Sequence, residues 1–145
     1  MDMHQKQAIE LACTRLVNLY YHYNDRLDWQ AASALFTDNG ALARPTDPDN
    51  FTKGRDNILA AYEARPNDRI ARHIISNIII DPIDEHHARG SYYATLFMAP
   101  LDAEKAKFGV KANASQLMGE FEIEFALTDA GWKIARSTGR IIFTT

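Results

Sequence analysis

The hydrophobic period of this chain changes once, near Pro66, and that change constrains its fold more than any other feature. Before it, Ile9, Cys13, Leu16, Tyr20, Tyr23 and Leu27 recur at three- and four-residue steps. That is the spacing of an amphipathic helix about 20 residues long. Asp28 supplies a cap for a second, short helix through Trp29, Ala32, Leu35 and Phe36. Thr37-Asp38-Asn39-Gly40 then reads as a turn, with Gly40 suited to a helix C-terminus. Ala41 to Arg44 reads as a short strand followed by a loop holding Pro45 and Pro48. A third helix begins near Gly54, sets Ile58, Leu59 and Tyr62 on one side, and stops at Pro66-Asn67-Asp68.

Beyond that point the pattern is of strands. Ile70 to Asp81 is rich in isoleucine, and His86 to Ala99 follows after the turn residues Pro82-Ile83-Asp84-Glu85. In the partner strand Tyr92, Ala94, Leu96 and Met98 alternate with Arg89, Ser91, Tyr93 and Thr95. After a polar connection, Leu117, Phe121, Ile123, Phe125 and Leu127 face one way and Glu120, Glu122 and Glu124 the other. Asp129-Ala130-Gly131 turns the chain into a last strand, Trp132 to Phe143. Helices first and a mostly antiparallel sheet after make the fold class α+β. The helices are the available cover for the apolar face of the sheet, and a curled sheet leaves a pocket beneath them.

The chain has 145 residues, a length that suits a single domain spanning 1–145. Its formal charge of -3 lacks the basic excess of a nucleic-acid partner. No uncharged run approaches the roughly 20 residues of a membrane span, and the opening residues lack the basic and apolar regions of a signal peptide. The expected location is cytoplasmic. The lone Cys13 excludes an internal disulfide framework and a multi-cysteine zinc site. No phosphate-binding glycine loop, nucleophile elbow, HExxH or CxxC is present, so the expectation is no cofactor and no metal. His86 and His87 are adjacent on a strand and point to opposite faces, which suits solvated side chains better than a ligand pair.

His73 differs from the other histidines. It sits inside an apolar strand, alternating with Ala71, Ile75, Asn77 and Ile79. Two readings are open: a hydrogen-bonded core histidine, or a general base in a pocket, since its ordinary pKa of about 6.5 suits proton transfer at neutral pH. Asp25 is the natural partner, but it lies two residues from both Tyr23 and Leu27 and points away from their stripe on a straight helix. Asn24, Asp25 and Asp28 are weak helix formers, so the helix is free to bend or end there. Periodicity leaves the pairing open.

Tyr23-Asn24-Asp25-Arg26-Leu27-Asp28-Trp29 with Ala34-Leu35-Phe36-Thr37-Asp38 resembles the opening of the nuclear transport factor 2-like superfamily. More narrowly it resembles the SnoaL-like branch that holds scytalone dehydratase and hexachlorocyclohexane dehydrochlorinase. Lys53-Gly54-Arg55-Asp56, Arg72-His73-Ile74-Ile75-Ser76-Asn77, Ala88-Arg89-Gly90-Ser91-Tyr92 and Gly131-Trp132-Lys133-Ile134 extend the likeness over nearly the whole chain, in order. The resemblance implies a cone-shaped α+β barrel, with the helices packed in the concave face of a strongly curved sheet around a deep apolar pocket. It also implies an Asp–His dyad formed by Asp25 and His73, and a wall that includes Tyr20, Ala94, Leu96, Leu117 and Phe121. A homo-oligomer, dimer or trimer, is the family habit. Two positions depart from the named enzymes: Asn24 stands where the dehydratase has Tyr, and Tyr20 where the dehydrochlorinase has Lys.

The expected function is a cofactor-independent lyase or isomerase of the dehydratase, dehydrohalogenase or cyclase type, acting on a small apolar ligand, cyclic or open-chain. His73 is the expected base and Asp25 its orienting partner. Tyr20 or Tyr92 is the hydrogen-bond donor, and Arg136 an anchor for an acidic group. The alternatives are a non-catalytic binding protein of the same fold, or a structural subunit resembling the β subunits of ring-hydroxylating dioxygenases.

Overall fold

In the computed structural model, which describes residues 1–145, the first helix, α1 (Met3–Asp25), is started by a reciprocal cap. The Asp2 carboxylate accepts from the Gln5 backbone N–H and the Gln5 side chain accepts from the Asp2 N–H, both at 2.8 Å. The helix buries Ile9, Cys13, Leu16, Val17, Tyr20 and Tyr21. Burial pushes the Cys13 thiol up to about 12, so it is a small apolar side chain and not a nucleophile. Leu27, at φ 57, turns the chain out of α1, and Asp28 caps α2 (Trp29–Ser33) by accepting from the Ala31 N–H at 3.1 Å.

That second helix is shorter than its apolar spacing suggests. Leu35 and Phe36 do not belong to it, and Thr37 to Gly40 do not close it; they lie at the start of strand β1 (Phe36–Arg44). Pairing of Phe36 and Ala41 with a distant strand fixes the chain on either side, and the turn-forming residues between them have no partner in that ladder and form an irregularity within it. The expected proline loop is also ordered differently. Strand β2 (Asp47–Lys53) includes Pro48 and forms a hairpin with β1. Strand β2 is the last in the sheet, and an edge strand has no second ladder for a proline to break.

Gly54, at φ 94, leads into α3 (Arg55–Glu63). The remaining elements are β3 (Arg69–Pro82), β4 (His87–Pro100), β5 (Leu117–Thr128) and β6 (Gly131–Thr144). The six strands run in the order β2-β1-β6-β5-β4-β3. All neighbours are antiparallel except β1 and β6. The sheet curls around the helices without closing into a barrel, since β2 and β3 remain its two edges.

The isoleucine-rich β3 does not keep one phase throughout. Asn77 adopts φ 55 and the register with β4 shifts between Ser76 and Ile79. The shift exchanges the faces, so Ile79 is 51% exposed while Ile80 is buried. Leu127 is likewise exposed, because the hairpin end of β5 runs past the core cluster that ends on that strand at Phe125.

Two glycines shape the inner face of the sheet. A Cβ on Gly119 would lie 2.8 Å from the Phe121 ring, and one on Gly139 closer still. The ring of Phe121 therefore lies down on bare backbone. Gly139→Ala forces that ring up, and overpacking of this kind costs about 1–3 kcal/mol. A urea-unfolding midpoint lowered with an unchanged slope is the expected reading, and an unchanged midpoint contradicts the packing described.

Candidate active site

Asp25 is the last residue of α1, and its carboxylate reaches across to β3 with both oxygens. Oδ1 lies 2.6 Å from Nδ1 of His73, and Oδ2 accepts from the His73 backbone N–H at 3.0 Å. The pair is mostly shielded, with side-chain exposures of 19% for His73 and 9% for Asp25. Arg72 ties the same two elements together, donating from Nη1 to the Asp25 carbonyl at 3.3 Å. An ionised carboxylate only accepts, so the short contact puts a hydrogen on Nδ1. In the neutral ring Nε2 then keeps its lone pair.

The helical wheel explains how Asp25 arrives there. Ile9, Cys13, Val17 and Tyr21 are all buried and stand at steps of four along α1, and Asp25 is the next residue in that series. Steps of three and four share a face on a helix. The stripe read through Leu16 and Tyr23 passes beside this row and misses its last member.

His73 lines a cavity of about 500 Å³ between the helices and the inner face of the sheet, a volume suited to a small organic molecule. Tyr20, Ala94, Leu96, Leu117 and Phe121 line it too. Tyr92 and Arg136 do not. Tyr92 is 1% exposed and lies behind the wall, stacked on Phe121 with ring centroids 5.1 Å apart. It follows the same alternation as Ala94 and Leu96, but the flattened Phe121 ring covers it. Arg136 is exposed and sits over the ring of Phe51, 4.4 Å from its centroid. It falls on the opposite phase from the buried Ser137 next to it, and the register shift between β5 and β6 just before it separates it from the buried Ile134.

Tyr21, Trp29 and Tyr62 line the cavity as well. Tyr21 stands beside the His73 ring, with centroids 4.8 Å apart, and its hydroxyl bonds that of Tyr92 at 2.8 Å. The Tyr20 hydroxyl bonds that of Tyr62. Burial, first of all, raises the pKa of all four tyrosines, so they are neutral donors. Trp29 stacks flat on Tyr62, with centroids 4.8 Å apart and an interplanar angle of 5°. Arg44, Arg65 and Arg69 complete one end of the cavity. A smaller cleft of about 310 Å³ adjoins it, sharing Leu42, Arg44, Thr46, Tyr62 and Arg65.

Elsewhere the candidates of the sequence are superficial. His87 is exposed at the β3–β4 turn, where its Nδ1 lies 3.0 Å from the Asp84 carboxylate. Glu122 and Glu124 face solvent. No three side chains of His, Cys, Asp or Glu stand together as a metal-ligand set, and no helix is long and apolar enough to cross a membrane.

The SnoaL-like domain family matches residues 6–138. No curated protein is detectably similar in sequence. Among solved structures, a candidate scytalone dehydratase from Novosphingobium aromaticivorans superposes with a TM-score of 0.79 at 21% identity, covering 99% of this chain and 91% of that one. The LinA-type3 hexachlorocyclohexane dehydrochlorinase from Novosphingobium barchaimii superposes with a TM-score of 0.80 at 14% identity, covering 99% and 93%. A type 2 LinA dehydrochlorinase gives 0.79 at 12% identity, covering 99% and 92%. At such identities the likeness is one of fold.

Proposed function

This chain belongs to the SnoaL-like domain family, and on that premise we propose that it is a cofactor-independent lyase or isomerase working by general acid–base catalysis. The supporting observation is the way Asp25 holds His73. One carboxylate oxygen fixes the ring and the other fixes the backbone beneath it, while Nε2 has no protein partner on the cavity wall. The substrate class is a small, mostly apolar molecule with an acidic C–H bond beside a carbonyl or leaving group.

Nε2 of His73 takes that proton. The electron pair of the broken C–H bond forms a double bond, and a hydroxyl or halide on the next carbon leaves with its bonding pair. In an isomerase the proton instead returns to a different atom. The imidazolium formed lies against the Asp25 carboxylate, which stabilises it and keeps the ring in its productive tautomer. The Tyr20–Tyr62 hydroxyl pair uses one of its two hydrogens for the mutual bond. The other is left to reach a developing oxyanion or leaving oxygen.

The test is a panel of β-hydroxy and β-halo cyclic ketones and halocycloalkanes, with products identified by mass spectrometry. Loss of water or hydrogen halide by the wild type supports the reading. Binding without any turnover across the panel favours a binding protein of the same fold.

We also propose a homo-oligomer formed through the outer face of the sheet, where Ile74 and Ile79 are 56% and 51% exposed. Light scattering is expected to give two or three times the 16.4 kDa of one chain. A mass of one chain rejects this assembly.

A further inference from the structure

One end of the cavity presents hydrogen-bond donors and almost nothing to receive from them. Arg44, Arg65 and Arg69 all line it. The ion pairs that the protein forms use Arg55, Arg140, Lys111 and two histidines, and none of these three arginines. Arg69 has only the sulfur of Met98, at 3.1 Å. Arg65 is held by its face, 4.4 Å over the ring of Tyr62 and 5.9 Å from the Trp29 centroid. Its Nε is buried without a hydrogen-bond partner, and so is the indole Nε1 of Trp29 beside it. Both atoms are donors only. Asp68 borders the cavity, and Asp47, which forms no ion pair, borders the adjoining cleft that shares Arg44 and Arg65. Asp68 is exposed and lies beyond ion-pair distance of all three arginines.

Arg65 is half-buried, with Arg44 and Arg69 exposed beside it; an unpaired buried donor is costly, and neighbouring like charges add to that cost. Burial, with Arg44 and Arg69 adding to it, lowers the pKa of Arg65. An arrangement of this kind is relieved by an anion that accepts from Arg65 and neutralises part of the cluster. We infer that the cavity takes an organic acid, its apolar body against Leu96, Leu117 and Phe121 and its carboxylate on Arg65 and Arg44. This rests on reading the cavity as the substrate site. It narrows the substrate class to acids whose reacting C–H lies toward His73 while the carboxylate is anchored at the arginine end.

The test compares 3-phenylpropionate with the isosteric, neutral 3-phenylpropionamide by chemical-shift titration of the labelled protein. Wild type is expected to bind the acid about tenfold or more tightly than the amide, since a charge-assisted pair is roughly twice as strong as a neutral one. The acid's advantage shrinks with added salt. Arg65→Met, which keeps an apolar stem over Tyr62, removes the preference and leaves the amide within about twofold. Arg44→Met weakens it. His73→Ala keeps the full preference, because the carboxylate sits elsewhere in the cavity. Equal affinity for acid and amide in the wild type overturns the inference while leaving proton transfer by His73 standing. Shifts confined to residues outside the cavity, or binding of neither probe, overturn it as well. An acid preference in a wild type that never catalyses turnover supports the anion site and counts against the catalytic reading alone.

Discussion

Replacing His73 with alanine lowers turnover by about 10²–10⁴-fold, the usual contribution of a positioned general base. The fold is expected to survive. The ring is partly accessible and bounds a cavity, so its loss enlarges an existing space more than it opens a new one in the core. The only protein contact of the ring nitrogens is the one to Asp25. That contact leaves with the ring, and the carboxylate still accepts from the backbone N–H of residue 73. Ligand affinity is expected to change far less than turnover, which separates a base from a wall residue. A variant with wild-type turnover on any substrate found removes His73 from the chemistry.

Asp25→Asn is expected to be nearly as damaging, by about 10²-fold or more in turnover. The substitution is often taken as removing a charge and keeping the geometry. Here the geometry forbids that. Both Asp25 oxygens accept from N–H groups, one on the His73 ring and one on its backbone, whereas an asparagine has one acceptor and one donor end. If its oxygen keeps the backbone N–H, its NH₂ faces Nδ1. The ring must then carry its hydrogen on Nε2, where it cannot act as a base. If the amide turns over, its NH₂ meets the backbone N–H and α1 is pushed from β3. A buried donor left unmatched costs about 1–3 kcal/mol of stability. Long-range nitrogen–proton NMR reports the outcome directly: Nδ1–H in the wild type, Nε2–H or a displaced helix end in the variant. Retention of the wild-type tautomer with full activity contradicts the role given to Asp25.

The order of elements is legible in the sequence because it rests on period, and period reflects which side of each element meets the core. The helix through Tyr20, the long isoleucine strand and the alternation in β5 all follow from it. The misreadings have one physical origin, which is pairing between residues distant in sequence. Thr37 to Gly40 carry turn chemistry, yet they close no helix, because Phe36 and Ala41 on either side of them pair with β6 and leave them as an unpaired irregularity within β1. Asn77 looks like one more position in an alternating run, yet its left-handed backbone inverts the faces beyond it.

The site is legible to a similar degree. Asp25 has a local signal in the row of four-residue steps from Ile9, and His73 stands out as a titratable group among isoleucines. Ala94, Leu96, Leu117 and Phe121 follow from alternation. Tyr92 has the right phase and still lies behind Phe121, because the Gly119 and Gly139 backbones let that ring lie flat across it. Arg65 follows Tyr62 by three residues at the end of α3, a spacing that makes them neighbours, but no local pattern places Trp29 beside them; the packing of α2 on α3 does that.

Deuterium exchange tests the central claim most directly, because it needs no leaving group and no natural substrate. Cyclic ketones that bind the cavity are incubated with the protein in D₂O, and label at the carbon beside the carbonyl is followed by NMR. Wild type is expected to speed the exchange well beyond buffer alone, His73→Ala to bring it back to the buffer rate, and Asp25→Asn to fall close to that rate. Exchange no faster with wild type than with His73→Ala, for ketones shown to occupy the cavity, contradicts the claim that His73 is its base.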